Sequence, residues 1–501
     1  MQTHRVTAFA DLAATSDRVA ATSKRNAKVA ALAELLNMLE PAEVRPAAAF
    51  LVGSTTLGRI GIGRASIGAL DVAAAPSSSL MILEVQAAVE ELAAATGDGS
   101  AAHRRALLDA LFAQATEREQ QLLRAILGGE LRQGALDGVL ASAIAAAAEV
   151  PVGAVRRAAM FAGDLGEAAA VALADGRDGL AAIGLEPLRP VEPMLASTAP
   201  TAADALDGGT ALVEVKLDGA RIQAHRRDRQ VRLFTRNRND VTDRLPAVVE
   251  QVAGYEGGDL VLDGEAIGLL DDGSPQAFQD TISEFSSDEA TPLHAFFFDV
   301  LYVDGVAVHD EALQVRREAL ERVVPAPARL PSIVTDDRDA AERFFAEAVS
   351  AGQEGVVVKS LDAPYAAGRR GSAWRKVKPV HTFDLVVLAV EWGHGRRHGR
   401  LSNLHLGARD GDDLVMVGKT FKGLTDEMLE WQTQRFLDLQ TSDDGHVVTV
   451  RPDQVVEVAI DGVQRSTRYP GGVALRFARV RRYRDDKPVA EIDTIDTLRR
   501  L

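Results

Sequence analysis

The strongest constraint on this chain is an abrupt change of hydrophobic period at a cluster of prolines. From Phe9 to about Ala182 apolar residues recur three and four apart, as at Val29, Leu32, Leu35, Leu36 and Leu39, the pattern of amphipathic helices. Glu186-Pro-Leu-Arg-Pro-Val-Glu-Pro then places three prolines within seven residues, each lacking an amide donor and presetting φ, so it reads as a linker. Downstream the period shortens to β-rich runs at Ala211 to Lys216, Arg221 to His225, Val231 to Thr235, Leu260 to Leu262, His294 to Val303 and Gly355 to Lys359. Helical stretches at Val315 to Val323 and Ala340 to Val349 interrupt them. A second boundary falls near Lys378-Pro379, after which about five strands and one helix, Thr425 to Phe436, fit a small barrel of the OB type. The predicted fold class is multidomain: all-α over residues 1–190, α+β over 191–379 and an OB-fold β-barrel over 380–501.

The length of 501 residues agrees with about three domains. With no cysteine, a disulfide framework, a thiolate zinc site, an iron–sulfur cluster and a cysteine nucleophile are excluded. The N-terminus lacks the basic-then-apolar layout of a signal peptide, and no uncharged apolar run approaches the ~20 residues of a membrane span, so a soluble cytoplasmic protein is expected. The net charge of −16 argues at first against a polyanionic partner. Its distribution reverses that argument, because residues 251–350 carry 6 basic against 21 acidic side chains, or −15, leaving −1 for all the rest. Residues 351–400 carry 9 against 4 and residues 451–501 carry 11 against 8, so these basic segments can still hold phosphate if they share one face. The acidic segment, including Asp271, Asp272 and Asp288, is expected to face away from that surface.

Candidate chemistry centres on Glu214-Val-Lys-Leu-Asp-Gly-Ala-Arg221. A strand ends at Lys216, alternation puts Glu214 and Asp218 on the same face, and Gly219 permits a tight turn. Alone, a lysine at a strand end is usually a solvated charge. Leu262-Asp-Gly-Glu265 and Glu354-Gly-Val-Val-Val-Lys359 repeat the juxtaposition of strand, turn and carboxylate, and Trp374-Arg-Lys-Val-Lys378 adds alternating cations. Other features carry less. Gly61-Ile62-Gly63 has no preceding strand and no following Gly-Lys-Ser/Thr, so it reads as a loop, and His394, His398 and His405 lack metal-ligand spacing.

In order and spacing these segments resemble the covalent nucleotidyltransferase superfamily, and within it the ATP-dependent DNA ligases of the three-domain bacterial type. The resemblance extends to Thr235-Arg236-Asn237, to Phe298-Asp299, and to Leu475-Arg-Phe-Ala-Arg479 running on to Arg484-Asp-Asp-Lys487. Leu122 to Gly134 is similar to the DNA-binding domain of such ligases. One departure is Ala478, where the family usually has proline.

The resemblance implies an enzyme that seals nicked double-stranded DNA through a lysine–AMP intermediate, with ATP as AMP donor and Mg²⁺ as metal, acting as a monomer. Lys216 would be the nucleophile, Glu214 and a stacking Phe298 would hold adenine, and Arg221 with Glu265 the ribose. Arg236, Arg370, Lys376 and Lys378 would hold phosphates, and Glu265 with Glu354 the metal. Arg476, Arg479 and Lys487 would meet the leaving pyrophosphate on domain closure. Read without the family, Phe298 is core packing before it is a stacking wall, the glutamates are strand-end charges or ion-pair partners of a neighbouring arginine, and the C-terminal cations a solvated face. An RNA ligase or capping-type nucleotidyltransferase and a catalytically silent nick-binding clamp are the alternative readings.

Overall fold

The computed structural model describes residues 6–57, 60–97, 99–131, 137–270, 276, 278–286 and 293–501. Asp271, Asp272, Asp288 and the end of the Leu122 to Gly134 segment lie outside the described residues.

The first third is helical, from Phe9–Ala20 to Leu165–Ala182, around one core that includes Phe9, Leu12, Leu32, Leu35, Phe50, Phe112 and Ile144. Local chemistry sets several helix ends. Thr116 and Glu119 form a reciprocal capping box, the Thr116 amide donating to the Glu119 carboxylate at 2.8 Å. Gly163, at φ +68°, ends Val152–Ala162, and Asp164 caps the helix that follows. No single helix among the described residues is long and apolar enough to cross a membrane.

The proline-rich segment is a fixed strap. The Leu188 amide donates to His225 Nδ1 at 3.1 Å, and the Val191 amide and carbonyl pair with the Gln223 side chain at 3.1 and 2.5 Å. Both partners are buried on the strand Ala220–Arg227. Burial pushes the His225 imidazole down to about 3, so it stays neutral and available as an acceptor. Prolines remove donors but leave carbonyls and intervening amides, and the neighbouring strand takes them up.

The middle domain holds two five-stranded sheets. One runs in the order Leu195–Thr198, Arg370–Val377, Gly355–Ser360, Ala211–Lys216, Ser332–Thr335; the other runs Gln230–Thr235, Ala220–Arg227, Leu260–Ile267, His294–Val303, Val306–Ala307. Alternation decides which side chains face inward. Val213, Val215, Val356, Val358 and Val377 pack in the core of the first sheet, which turns Glu214, Lys216, Val357, Lys359, Trp374 and Lys376 to its other face. Ile222, Ala224, Leu260 and Leu262 do the same in the second, exposing Arg221 and Glu265. The Asp299–Arg316 pair, fully buried and bidentate at 2.8 and 2.9 Å, ties the helix Leu313–Val323 to the strand His294–Val303.

The C-terminal domain is a curled seven-stranded sheet, a half-barrel consistent with an OB fold, covered by the helix Asp426–Asp438. Its long strand His381–Trp392 pairs with Val455–Ile460 along its first half and with Val447–Val450 near its end, and this change of partner bends the sheet. The sequence pattern had indicated five strands. Gln440–Asp443, the ribbon Gly462–Arg465/Val473–Arg476 and Arg479–Tyr483 are additional, being too short or too arginine-rich to show the apolar alternation that marks a strand.

Asp299→Ala strands Arg316 without its partner in the core and is expected to cost about 3–5 kcal/mol of stability, read as a lowered melting temperature. An unchanged melting curve would show that the pair does not hold this helix.

Candidate active site

A cavity of about 750 Å³ opens where the two middle sheets meet, and the C-terminal ribbon closes over it. Twelve of the predicted site residues line it: Glu214, Lys216, Arg221, Arg236, Glu265, Phe298, Glu354, Arg370, Lys376, Lys378, Arg476 and Arg479. At its centre Lys216 Nζ pairs with Glu354 and also donates to the Leu217 carbonyl at 3.2 Å, while Lys378 Nζ pairs with the other Glu354 oxygen. Burial opposes ionisation of Glu354, but the two ammonium groups outweigh it and hold the carboxyl below its ordinary range. Lys376 lies beside them, and its ammonium makes no hydrogen bond among the described residues. Its ammonium is pushed down, first by burial and then by the Lys378, Lys216 and Arg370 charges.

One end of the cavity is apolar and aromatic. Glu214 is buried and paired with Lys359, whose Nζ sits 4.6 Å from the ring centres of both Phe298 and Trp374. Burial pushes the Glu214 carboxyl up, and Lys359 works against that shift. Phe298 is thus both core and cavity wall, packing edge-on to Trp374 at 6.0 Å. On the second sheet Arg221 is clamped by Asp263 at 2.6 and 3.0 Å.

Glu265 is half-buried, and its carboxylate makes no hydrogen bond among the described residues. Loss of water pushes its carboxyl up to about 7, against the pull of Lys216 and Arg221. No three His, Asp or Glu side chains converge as a metal cluster among the described residues. Glu265 and Glu354 therefore offer two carboxylates, which suits Mg²⁺, a cation that keeps water and phosphate oxygens among its ligands.

The barrel reaches this cavity through Arg476, whose Nη1 lies 2.6 Å from Asp218 Oδ2, and through Arg479, paired with Asp461 at 3.1 Å. Lys487 is placed elsewhere, 2.7 Å from Asp384 beside Arg484, in a separate cleft of the barrel. The intervening strand Arg479–Tyr483 explains this, since at about 3.3 Å per residue it carries the chain away from the cavity. Between the two arginines Phe477 adopts φ +54°, uncommon for a residue with a Cβ, and stands exposed at the cavity rim. Ala478 behind it is buried, its carbonyl accepting from Thr420 Oγ1 at 2.5 Å.

Several lining residues escaped sequence reasoning. Lys359 and Trp374 were signalled by alternation, two positions from Val357 and Lys376. Lys422 and Asp461 arrive through barrel packing and had no local signal, whereas Phe477 lies within the Leu475 to Arg479 segment but was assigned no role.

A helical domain, a two-sheet domain with a lysine-centred cavity and a curled barrel define a three-domain nucleotidyltransferase architecture. Residues 193–378 match the family model for the ATP dependent DNA ligase domain, 397–487 that for the ATP dependent DNA ligase C terminal region, and 69–145 that for the DNA ligase N terminus. A probable DNA ligase of Mycolicibacterium gilvum is 54% identical over 503 residues, covering 98% of each chain, and one of a Nocardioides species is 54% identical over 501 residues with the same coverage. A solved structure described as Pmar-Lig_PreS3 superposes with a TM-score of 0.58 over 94% of this chain and 99% of its own, at 18% identity, a likeness of fold. The chain belongs to the ATP-dependent DNA ligases. RNA-directed nucleotidyl transfer and a silent clamp are thereby the less supported readings.

Because the folded Glu265 carboxyl sits near 7 and an ordinary one near 4.5, folding takes up a proton between these values. That contribution is fully present below about pH 4.5 and is lost as pH rises through about 7. Glu265→Gln is therefore expected to stabilise the nucleotide-free, metal-free protein at pH 8, by up to about 3 kcal/mol, and far less at pH 5. Equal melting shifts at both pH values would remove burial of this charge as the cause.

Proposed function

We propose that this chain seals nicks in duplex DNA in the cytoplasm, as a monomer, by charging Lys216 with AMP from ATP in the presence of Mg²⁺. The observation that carries the reading is a strand-end lysine inside a cavity lined by carboxylates and by cations from two domains. The Lys216 amine attacks the α-phosphorus, the bond to the pyrophosphate oxygen breaks, and the amine proton leaves as the phosphoramidate forms. AMP then passes to the 5′-phosphate of a nick, and the 3′-hydroxyl displaces AMP, closing the backbone.

Each group has a task in this scheme. In the arrangement described, Lys216 is held by Glu354, and its lone pair becomes available only when that ion pair gives way and the ammonium passes a proton to solvent. Lys378, Lys376, Arg370 and Arg236 would neutralise phosphate oxygens, the dominant requirement in phosphoryl transfer. Glu214, Phe298 and the neighbouring Trp374 would seat adenine, and Arg221 with Glu265 the ribose. Glu265 and Glu354 would hold Mg²⁺, which supplies charge neutralisation at the phosphates. Arg476 and Arg479 would face the pyrophosphate.

Incubation with α-labelled ATP and magnesium, followed by a chase with nicked duplex, tests the reading. Lys216→Arg is expected to take up no label, because a guanidinium keeps the charge but stays protonated. Label on that variant would sink the assignment of the nucleophile.

The barrel cations separate by position. Arg476→Ala is expected to slow AMP loading about 10²- to 10³-fold while sparing the sealing of a pre-adenylated nick. Lys487→Ala, outside the cavity, is expected to lower the melting temperature more than the loading rate. Equal loading losses for both variants would refute this division.

A further inference from the structure

Arg221 is held more completely than a surface-facing ligand arginine needs to be. A guanidinium has five N–H donors. Nε donates to Asp263 Oδ1 at 3.0 Å, Nη2 to Asp263 Oδ2 at 2.6 Å and to the Tyr365 hydroxyl at 3.4 Å, and Nη1 to the Met194 carbonyl at 2.8 Å. Four donors are committed, and the second Nη1 hydrogen alone has no partner among the described residues. The clamp is itself saturated. Tyr365 Oη donates to Asp263 Oδ2 at 2.5 Å and accepts from the Met194 amide at 3.0 Å, and Asp263 and Tyr365 are both buried. Burial, then the Asp263 charge, pushes the Tyr365 hydroxyl well above its ordinary value, so it remains a donor at any working pH.

The loop bearing Tyr365 is pinned as well. Its amide donates to the His309 carbonyl at 2.8 Å, the Gly368 amide to the Glu192 carbonyl at 3.1 Å, and Arg316 Nη1 to the Ala363 carbonyl at 3.0 Å. The Arg221 guanidinium also lies 5.4 Å from the Phe298 ring centre. Its direction is thereby set by packing, a polar network and an aromatic wall together.

We propose that Tyr365 and Asp263 are positioning residues that leave Arg221 one N–H for a ribose hydroxyl oxygen of the bound nucleotide. This rests on the ligase reading and deepens it. Neither residue touches the nucleotide; both act through Arg221, and an error of about 1 Å in such a donor is enough to slow a reaction substantially.

Single-turnover labelling of Lys216 tests the proposal with ATP, 2′-deoxy-ATP and 3′-deoxy-ATP, comparing the natural chain with Tyr365→Phe. Phenylalanine keeps the ring packing against Trp374, 5.7 Å away, and removes only the hydroxyl. Labelling efficiency with ATP is expected to fall about tenfold. With the analogue lacking the contacted hydroxyl, that loss is expected to shrink at least threefold, a substrate dependence that a general loss of structure would not produce. Asp263→Asn, which keeps the side-chain shape, is expected to show the same analogue dependence and serves if Tyr365→Phe fails to fold. No loss with ATP, or a loss that shrinks less than threefold with both analogues, overturns the proposal. Absence of label on the natural chain would overturn the ligase reading instead, so the two failures are distinguishable.

Discussion

A single carboxylate bridging two ammonium groups organises the centre of this molecule. Glu354 lies between Lys216 and Lys378, one from the strand Ala211–Lys216 and the other just beyond Arg370–Val377. The bridge forms because Gly355 pairs directly opposite Lys216 in the ladder, bringing three chain segments to one point. The approach is so close that a Cβ at Gly355, whose φ is +142°, would stand 2.1 Å from the Val377 carbonyl oxygen. Only glycine fits there. Without that contact, Lys216 and Lys378 would repel each other in a half-buried site.

The same point explains how a chain of net charge −16 carries a cavity lined by cations. Global charge governs solubility and long-range steering, whereas affinity for an anion is set within a Debye length of about 8 to 10 Å. Lys216, Lys376, Lys378, Arg370 and Arg476 gather at that scale, and Lys376 registers the repulsion. A nucleotide triphosphate would relieve it.

The barrel's hold on the middle domain is of a different kind. Arg476 with Asp218, and Arg465 with Gln279 and Asp280, are polar contacts between partly exposed groups. Exposed pairs such as Arg465 with Asp280 contribute about 0–1 kcal/mol each, so contacts of this kind add little to the hold between the two domains. The helical domain is attached more firmly. Phe161 packs 4.7 Å from His309 within a shared apolar cluster, and the proline strap is hydrogen-bonded to buried groups of the second sheet.

Hydrophobic period alone determined the three-part order of this chain, because helix and strand repeats depend only on neighbours along the sequence. It also put Glu214 with Lys216, and Trp374 with Lys376 and Lys378, on common faces, since alternation is a property of the strand. What it could not contain was distance between strands. Tyr365 sits in a loop with no periodic signal, yet its hydroxyl reaches Asp263, 102 residues earlier in the chain. Lys487 shares a basic run with Arg479 in sequence, yet one intervening strand separates their surroundings. Arg476 meets Asp218 across 258 residues only because two domains close. Local pattern decided which residues share a face. Which faces meet was decided by packing, through long-range contacts that depend on the whole core.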